Sequence, residues 1–481
     1  MSLTVLGIAL LPLVLRFAAD GERLLQLVVI AAVFEGGAAA VFGGFGIQLG
    51  LLPALAFVTH LAAQYLLGMR YPGEASVLRM STPLVLFLAY AAATAMVLPG
   101  VFAGQITVWP QKPDILFPEP VLLAPGGGNL TQTIYLTLNL TLCIGTALYL
   151  TRRSVRIWQR LVVAYMASGY LVAGIAIWQF GARVAGLPFP NQMLFSNPSW
   201  VVVEQSLGPI PRIQGPFTEP SGLAFYMAGL AFSCLWLCLR GHRVMHPQLL
   251  LMLAVVATCL STSTTGIATL VIGLPAALIL AAACGDAPGL RRASVTLGAM
   301  AGVAALVLVP LFLLWPELLG FVDLVIGATL EKSDSDSFVE RQMWDGLAWN
   351  ALLQSGGLGI GWGSTRSSSL LPGLLAGGGV VSALAIAWFA YTIARTVRRS
   401  RDRGLGRHPA NLTVDSFIGA MIGQLLAALI SAPTIVTPIF YLQLGAVIGG
   451  LVRFGIDSGR LRQSPAAAQA EHGAISRAPA G

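Results

Sequence analysis

The sequence predicts an all-α protein that crosses a lipid bilayer many times, and three observations carry that prediction. Apolar residues make up 56% of the 481-residue chain and charged residues only 10%, with a mean hydropathy of +0.78, far from the balance of a soluble domain. Continuous apolar runs such as LTVLGIALLPLVL and VTLGAMAGVAALVLVPLFLLW recur, where a membrane β-barrel would need short segments of strict alternation. Arginines gather in short segments between those runs, as the positive-inside rule expects of helical membrane proteins.

Taking apolar runs of about 17 to 25 residues as spans places helices at 3–19, 24–42, 46–67, 82–101, 132–150, 161–182, 220–239, 247–261, 265–284, 294–315, 374–394, 413–431 and 438–455. The first has no basic residue before it, and Arg16 follows it, so it reads as a retained helix rather than a cleaved signal. The second carries Glu35, a carboxylate at membrane depth and therefore a functional candidate by default. The Gly36-Gly37 pair beside it leaves room for an aqueous cavity. His60 and Gln64 share one face of the third helix.

Segments 151–160, 240–246, 285–293 and 395–407 hold clustered arginines and fall on one side if the helices alternate. Carried backward, the alternation adds Arg23, Arg70 and Arg79, which makes that side cytoplasmic, the N-terminus external and the C-terminus cytoplasmic. The long segments 102–131, 183–219 and 316–373 then face outward. The net charge of +8 reflects this topology rather than affinity for nucleic acid. Residues 1–455 form one transmembrane domain, and 456–481, without apolar period, are expected to be a disordered cytoplasmic tail. The five cysteines show no CxxC spacing, so neither a disulfide framework nor a metal site is expected.

Loop 102–131 is rich in Pro and Gly and reads as an irregular cap; its Asn129-Leu-Thr triplet is read as chance. Loop 183–219 ends in PIPRIQGPFTEPSGLAFY, where Pro220 suits the first turn of a helix and Thr218 or Glu219 its N-cap. That helix start, with Arg212 and a backbone freed by Gly215, can form an anion site. The plainer reading is that Glu219 only caps the helix and Arg212 only reaches lipid phosphate. The STSTT turn at Ser261–Thr265 is explained by local backbone hydrogen bonds.

In the segment 316–373, Ser337 and Glu340 fit a capping box, and Trp344, Leu347, Ala348, Ala351 and Leu352 repeat at helical spacing. Residues 338–354 are therefore an amphipathic helix, and Arg341 and Asp345 on its other face are spaced for an ion pair. GGLGIGWGSTRSSS lacks the ending of a phosphate-binding nucleotide loop. Its glycines permit either close approach to a ligand or a tight turn. Arg366 stands among Ser364, Thr365, Ser367, Ser368 and Ser369, donors suited to phosphate or sugar hydroxyls, or to a solvated loop.

The succession RIQGPFTEPSGLAFY, STSTTG, ERQMWDGLAW and GLGIGWGSTRSSSLLPGLLAGGG over 210–395 resembles the superfamily of O-antigen ligases and Wzy-type polysaccharide polymerases. The resemblance implies a GT-C-like helical glycosyltransferase of the bacterial inner membrane, using polyprenyl-diphosphate-linked oligosaccharides on the periplasmic face with neither a cofactor nor a metal. It implies that Arg212, Arg341 and Arg366 hold the donor diphosphate, with Ser364, Ser367 and Ser368 toward the glycan. Flippase and chain-length or export proteins are the partners it suggests. Ligases of the superfamily carry a His in the large loop, and here Ser367–Ser369 occupy that stretch, so the resemblance favours the polymerase branch. The general base stays open, with Glu219 as first candidate and Asp345 as second. A ligase, and a transporter or flippase of lipid-linked sugars, are the alternatives; the lack of internal repeats and of paired broken helices counts against transport.

Overall fold

A computed structural model describes residues 2–475 except 112–118, 199–204, 208–209, 284–285, 315–319, 321–326, 328–335, 433–434 and 436. The helices are α1 (Val5–Arg16), α2 (Gly21–Ala31), α3 (Leu51–Leu66), α4 (Glu74–Val101), α5 (Gly127–Arg152), α6 (Val155–Ala185) and the short α7 (Asn191–Leu194). They continue with α8 (Pro220–Arg240), α9 (Pro247–Leu260), α10 (Thr264–Ala283), α11 (Ala287–Leu314), α12 (Asp336–Gln354), α13 (Leu370–Asp402), α14 (Asn411–Ser431) and α15 (Pro438–Ile475). Among the described residues eight helices are long and apolar enough to cross a membrane, and three apolar helices are shorter, at 10–17 residues. The protein is thus a helical, multi-pass membrane protein.

The expected thirteen full spans are corrected chiefly at the N-terminus. In place of helices at 3–19 and 24–42, α1 has 12 residues and α2 has 11, about 16–18 Å at 1.5 Å per residue against a hydrocarbon core of about 30 Å. The α2 helix stops because VFEGGAAAVFGGFG follows it. Gly43 and Gly44 both take positive φ, 49° and 86°, and form the two-residue turn of a hairpin between β2 (Ala38–Phe42) and β3 (Phe45–Gln48). A terminal strand, β1 (Ser2–Leu3), pairs antiparallel with β2 and closes this small sheet. Glu35 therefore lies in a turn and not in a helix.

In the bundle α8 packs most extensively on α14, and α5 on α15. Glycines permit both approaches: a Cβ on Gly423 would stand 2.5 Å from the Ala228 carbonyl oxygen, and one on Gly445 would stand 2.2 Å from that of Cys143. The expected arginine-rich segments meet at one end of this bundle. Arg401 and His242 approach the fully buried Asp415 at 2.7 and 3.1 Å. Arg292 donates to the Leu239 carbonyl at 2.6 Å, and Arg453 to that of Thr151 at 2.9 Å. The α15 helix runs on past the apolar span, to Ile475. An Arg453–Asp457 pair at 2.8 Å, one helical turn apart, carries the helix past the apolar span.

The opposite end holds a second small core of Ile106, Val108, Leu123, Ala348, Ala351, Ile360 and Ala376. Loop 102–131 is accordingly more than an irregular cap. It forms a ladder between β4 (Thr107–Val108) and β5 (Val121–Leu122) that packs on α12.

Candidate functional site

The predicted amphipathic helix is present as α12, with Ala348, Ala351 and Leu352 buried and Trp344 and Leu347 partly so. Glu340 lies in its first turns; the Ser337 side chain of the expected capping box lies outside the described residues. Trp344 packs on Trp109 at 5.5 Å between ring centroids, joining the helix to loop 102–131. The Arg366 guanidinium lies over the Trp344 ring at 4.5 Å, a cation–π contact that orients it. The indole N–H groups of Trp109 and Trp344 are buried without partners among the described residues, donors that a bound polar ligand can use.

The 355–369 loop is fastened on every side. Thr365 and the Arg366 backbone N–H both donate to the Trp109 carbonyl, at 3.2 and 2.9 Å, and Gln111 donates to the Thr365 carbonyl at 2.5 Å. Buried Asn129 donates to the Trp362 carbonyl and the Ser364 hydroxyl at 2.9 and 2.8 Å, so the residue of the triplet is structural. The glycines serve close packing against protein. Gly361 has φ 98°, and a Cβ there would stand 2.8 Å from the Thr94 carbonyl oxygen; Gly363 has φ 81°, and a Cβ there would stand 2.9 Å from that of Gly128.

Asp345 forms no ion pair with Arg341 among the described residues, which corrects the expected pairing. Its carboxylate instead accepts the backbone N–H groups of Ser368 and Ser369 at 2.6 and 3.1 Å and the Ser369 hydroxyl at 2.7 Å. Ser369 is the N-cap of α13, so the carboxylate sits at that helix's positive end, where the helix dipole and two backbone N–H groups stabilise it. Ser367 and Ser368 are buried; Ser367 donates to the Ser369 carbonyl at 3.0 Å, and Ser364 to that of Ile360 at 2.9 Å. These hydroxyls serve the loop itself, leaving the Arg366 guanidinium as its free charged group among the described residues.

Arg212 comes from a different loop. Its Nε donates to the Thr262 hydroxyl at 3.2 Å and its guanidinium to the Gln205 side chain at 2.7 Å, while Arg183 donates to its carbonyl at 2.6 Å. Thr262 has φ 45°, a left-handed conformation unusual for a β-branched residue. The STSTT turn makes the expected local bonds, Ser261 to the Thr258 carbonyl at 2.6 Å and the Thr262 hydroxyl to the Ser261 carbonyl at 2.9 Å, and Thr262 in addition accepts from Arg212. Its strained backbone presents the hydroxyl to Arg212. Burial and then the neighbouring Arg341 charge push Arg212 below the usual guanidinium range, and Glu219 opposes them. Arg341 and Arg212 are thus electrostatic neighbours, and Arg366 rests on Trp344, which lies one turn along α12 from Arg341.

Glu219 is the N-cap of α8 and Pro220 its first residue, as the sequence implies. The exposed Glu219 carboxylate makes no capping bond and accepts the Ser221 hydroxyl at 3.0 Å. Beside it stands Glu35, whose carboxylate the Thr218 side chain hydrogen-bonds. Burial and then the Glu219 charge push Glu35 up to about 7. The turn bearing Glu35 is fixed by Gly36 N–H to the Pro216 carbonyl at 3.0 Å and Asn197 N–H to the Gly36 carbonyl at 3.1 Å.

No group of three or more His, Cys, Asp or Glu side chains among the described residues is arranged to hold a metal ion. Neither a family model nor a curated protein matches the chain.

Proposed function

We propose that the protein is a membrane glycosyltransferase that joins polyprenyl-diphosphate-linked oligosaccharide units into a longer glycan. The observation that carries the reading is that Arg212 and Arg341 are electrostatic neighbours and that Arg366 rests on Trp344, one helical turn from Arg341, with none of the three in an ion pair with a carboxylate among the described residues. Like charges gathered this way destabilise one another unless a polyanion joins them, and a diphosphate with its bidentate oxygens suits guanidinium groups.

In this reading the acceptor hydroxyl of one unit attacks the anomeric carbon of the other chain. The bond from that carbon to the diphosphate oxygen breaks, and its electron pair leaves with the polyprenyl diphosphate. Arginines held in advance by Thr262, Gln205 and Trp344 stabilise the charge that develops on the leaving group. The site is assigned to the periplasmic face of the bacterial inner membrane, with the N-terminus outside, the C-terminus in the cytoplasm and a GT-C-like helical bundle. The arginine-rich segments 151–160, 240–246, 285–293 and 395–407 support that orientation.

The test is purified protein incubated with lipid-linked repeat units alone. A ladder of product lengths is expected. Single transfer that requires a second acceptor points to a ligase, and flipping without a new glycosidic bond removes the enzyme reading. Arg341→Lys, which keeps charge but loses the planar fork, is expected to lower kcat/KM by roughly 10- to 100-fold, the range of a lost charge-assisted hydrogen bond. Near-normal polymerisation by that variant excludes Arg341 from the site.

A further inference from the structure

We propose that Glu35 is the proton acceptor of this reaction, taking the proton of the attacking sugar hydroxyl where the turn after α2 meets the start of α8. The proposal rests on the polymerase reading and assigns the base that the reading leaves open. In the balanced step, the acceptor oxygen bonds to the anomeric carbon, the diphosphate departs with its electron pair, and the hydroxyl proton passes to the Glu35 carboxylate.

Placement comes first. Gly222 lies in the first turn of α8, and a Cβ on it would stand 3.5 Å from Glu35 Oε2, so the carboxylate lies against the helix start where any side chain would crowd it. Thr218 and Glu219 of the same RIQGPFTEPSG stretch address Glu35, and Arg212 of that stretch faces Arg341. Glu219 is thus the electrostatic neighbour of Glu35 on one side and of Arg212 on the other, with Arg341 beyond, and the Gly36 N–H bond to the Pro216 carbonyl ties the Glu35 turn to the stretch that carries Arg212, one of the arginines assigned to the leaving diphosphate.

The second observation is independent of the acidic pair. Glu35 also lines a narrow cleft with Gln48 from β3 and Thr437 just before α15, and the Thr437 hydroxyl is buried without a hydrogen-bond partner among the described residues. The carboxylate thus lies against the start of α8 on one side and a narrow, mostly apolar cleft with two neutral polar groups on the other.

The competing carboxylates are less suited. Asp345 is committed to three hydrogen bonds at the start of α13, and Glu219 is exposed and takes the Ser221 hydroxyl. Glu35 is partly buried, and its value of about 7 lies near the operating pH, as general bases require. The charged groups around it are Glu219, which raises it, and Arg212 beyond Glu219; the β3 and α15 sides of the cleft present the neutral Gln48 and Thr437.

The experiment follows polymerisation by the full-length protein against pH. Only the ionised carboxylate accepts a proton, so the wild-type rate is expected to rise as pH passes through about 7. Glu35→Gln, an isostere of the protonated form, is expected to lower kcat by about 100-fold or more at unchanged KM for the lipid-linked donor, and to abolish the pH limb. Glu219→Gln removes the neighbouring charge and is expected to move the limb to lower pH without abolishing it. A wild-type profile flat through neutral pH, or a Glu35→Gln enzyme that keeps the limb and most of its rate, overturns the assignment. The wild-type profile decides the matter even if the variant does not fold. A wild type that forms no glycosidic bond at any pH overturns the polymerase reading instead.

Discussion

At the scale of single residues, the site is defined by which charges find partners inside the protein. Asp345 stands one helical turn from Arg341, yet its carboxylate caps α13 through Ser368 and Ser369, so Arg341 keeps its charge for something else. Asp345→Asn preserves an amide oxygen able to accept both backbone N–H groups. That variant is therefore expected to retain polymerisation within about threefold, with Asp345→Ala losing thermal stability in detergent, since two to three hydrogen bonds to a charged group are worth about 1.5–3 kcal/mol each. A collapse of kcat in the Asn variant at unchanged stability would restore Asp345 as the base. The proposed ligand residues Arg212, Arg341 and Arg366 were named by the resemblance of the motifs that carry them. Their supports were not, because Thr262 and Trp344 act through a strained φ and a ring face that no spacing rule encodes.

At the scale of elements, the glycine-rich loop before α13 is a device for seating Arg366. Its glycines read equally as ligand contacts or turns in the sequence, and backbone approach decides for packing. Gly361 needs both a positive φ and the space beside Thr94, whereas Gly356, also at positive φ, has nothing within 4 Å of its Cβ position. Gly361→Ala is expected to cost the left-handed backbone penalty, about 1–2 kcal/mol, plus the clash, and Gly356→Ala only the former. Thermal midpoints of the two purified variants measure the difference; equal midpoints would show that the loop yields at Thr94. The β2–β3 hairpin was written in VFGGFG, a two-glycine turn between apolar residues. It was obscured because apolar composition alone makes 24–42 resemble a span, and a run of that length does not separate a helix from a buried hairpin.

At the scale of the whole molecule, the two ends of the bundle carry different chemistry. One holds the Asp415, Arg401 and His242 network, and the other gathers loops 102–131, 183–219 and 355–369. If the arginine-rich end is cytoplasmic, a cysteine at exposed Met343 in α12 is expected to react with a membrane-impermeant maleimide on intact spheroplasts. One at exposed Arg403, after α13, is expected to react only after lysis. The reverse pattern would place the arginine site in the cytoplasm.

The sequence by itself determined the solvent of this protein, its main helices and the types of residue available to a site, because hydrophobic run length and arginine placement are local quantities. Tertiary structure alone decided that α1 and α2 are short, that Asp345 caps α13 and makes no ion pair with Arg341 among the described residues, and that Glu35 lies beside Glu219 at the start of α8. Those outcomes depend on contacts between residues far apart in the chain, where burial and a neighbouring charge set the state of a carboxylate that residue type leaves undetermined.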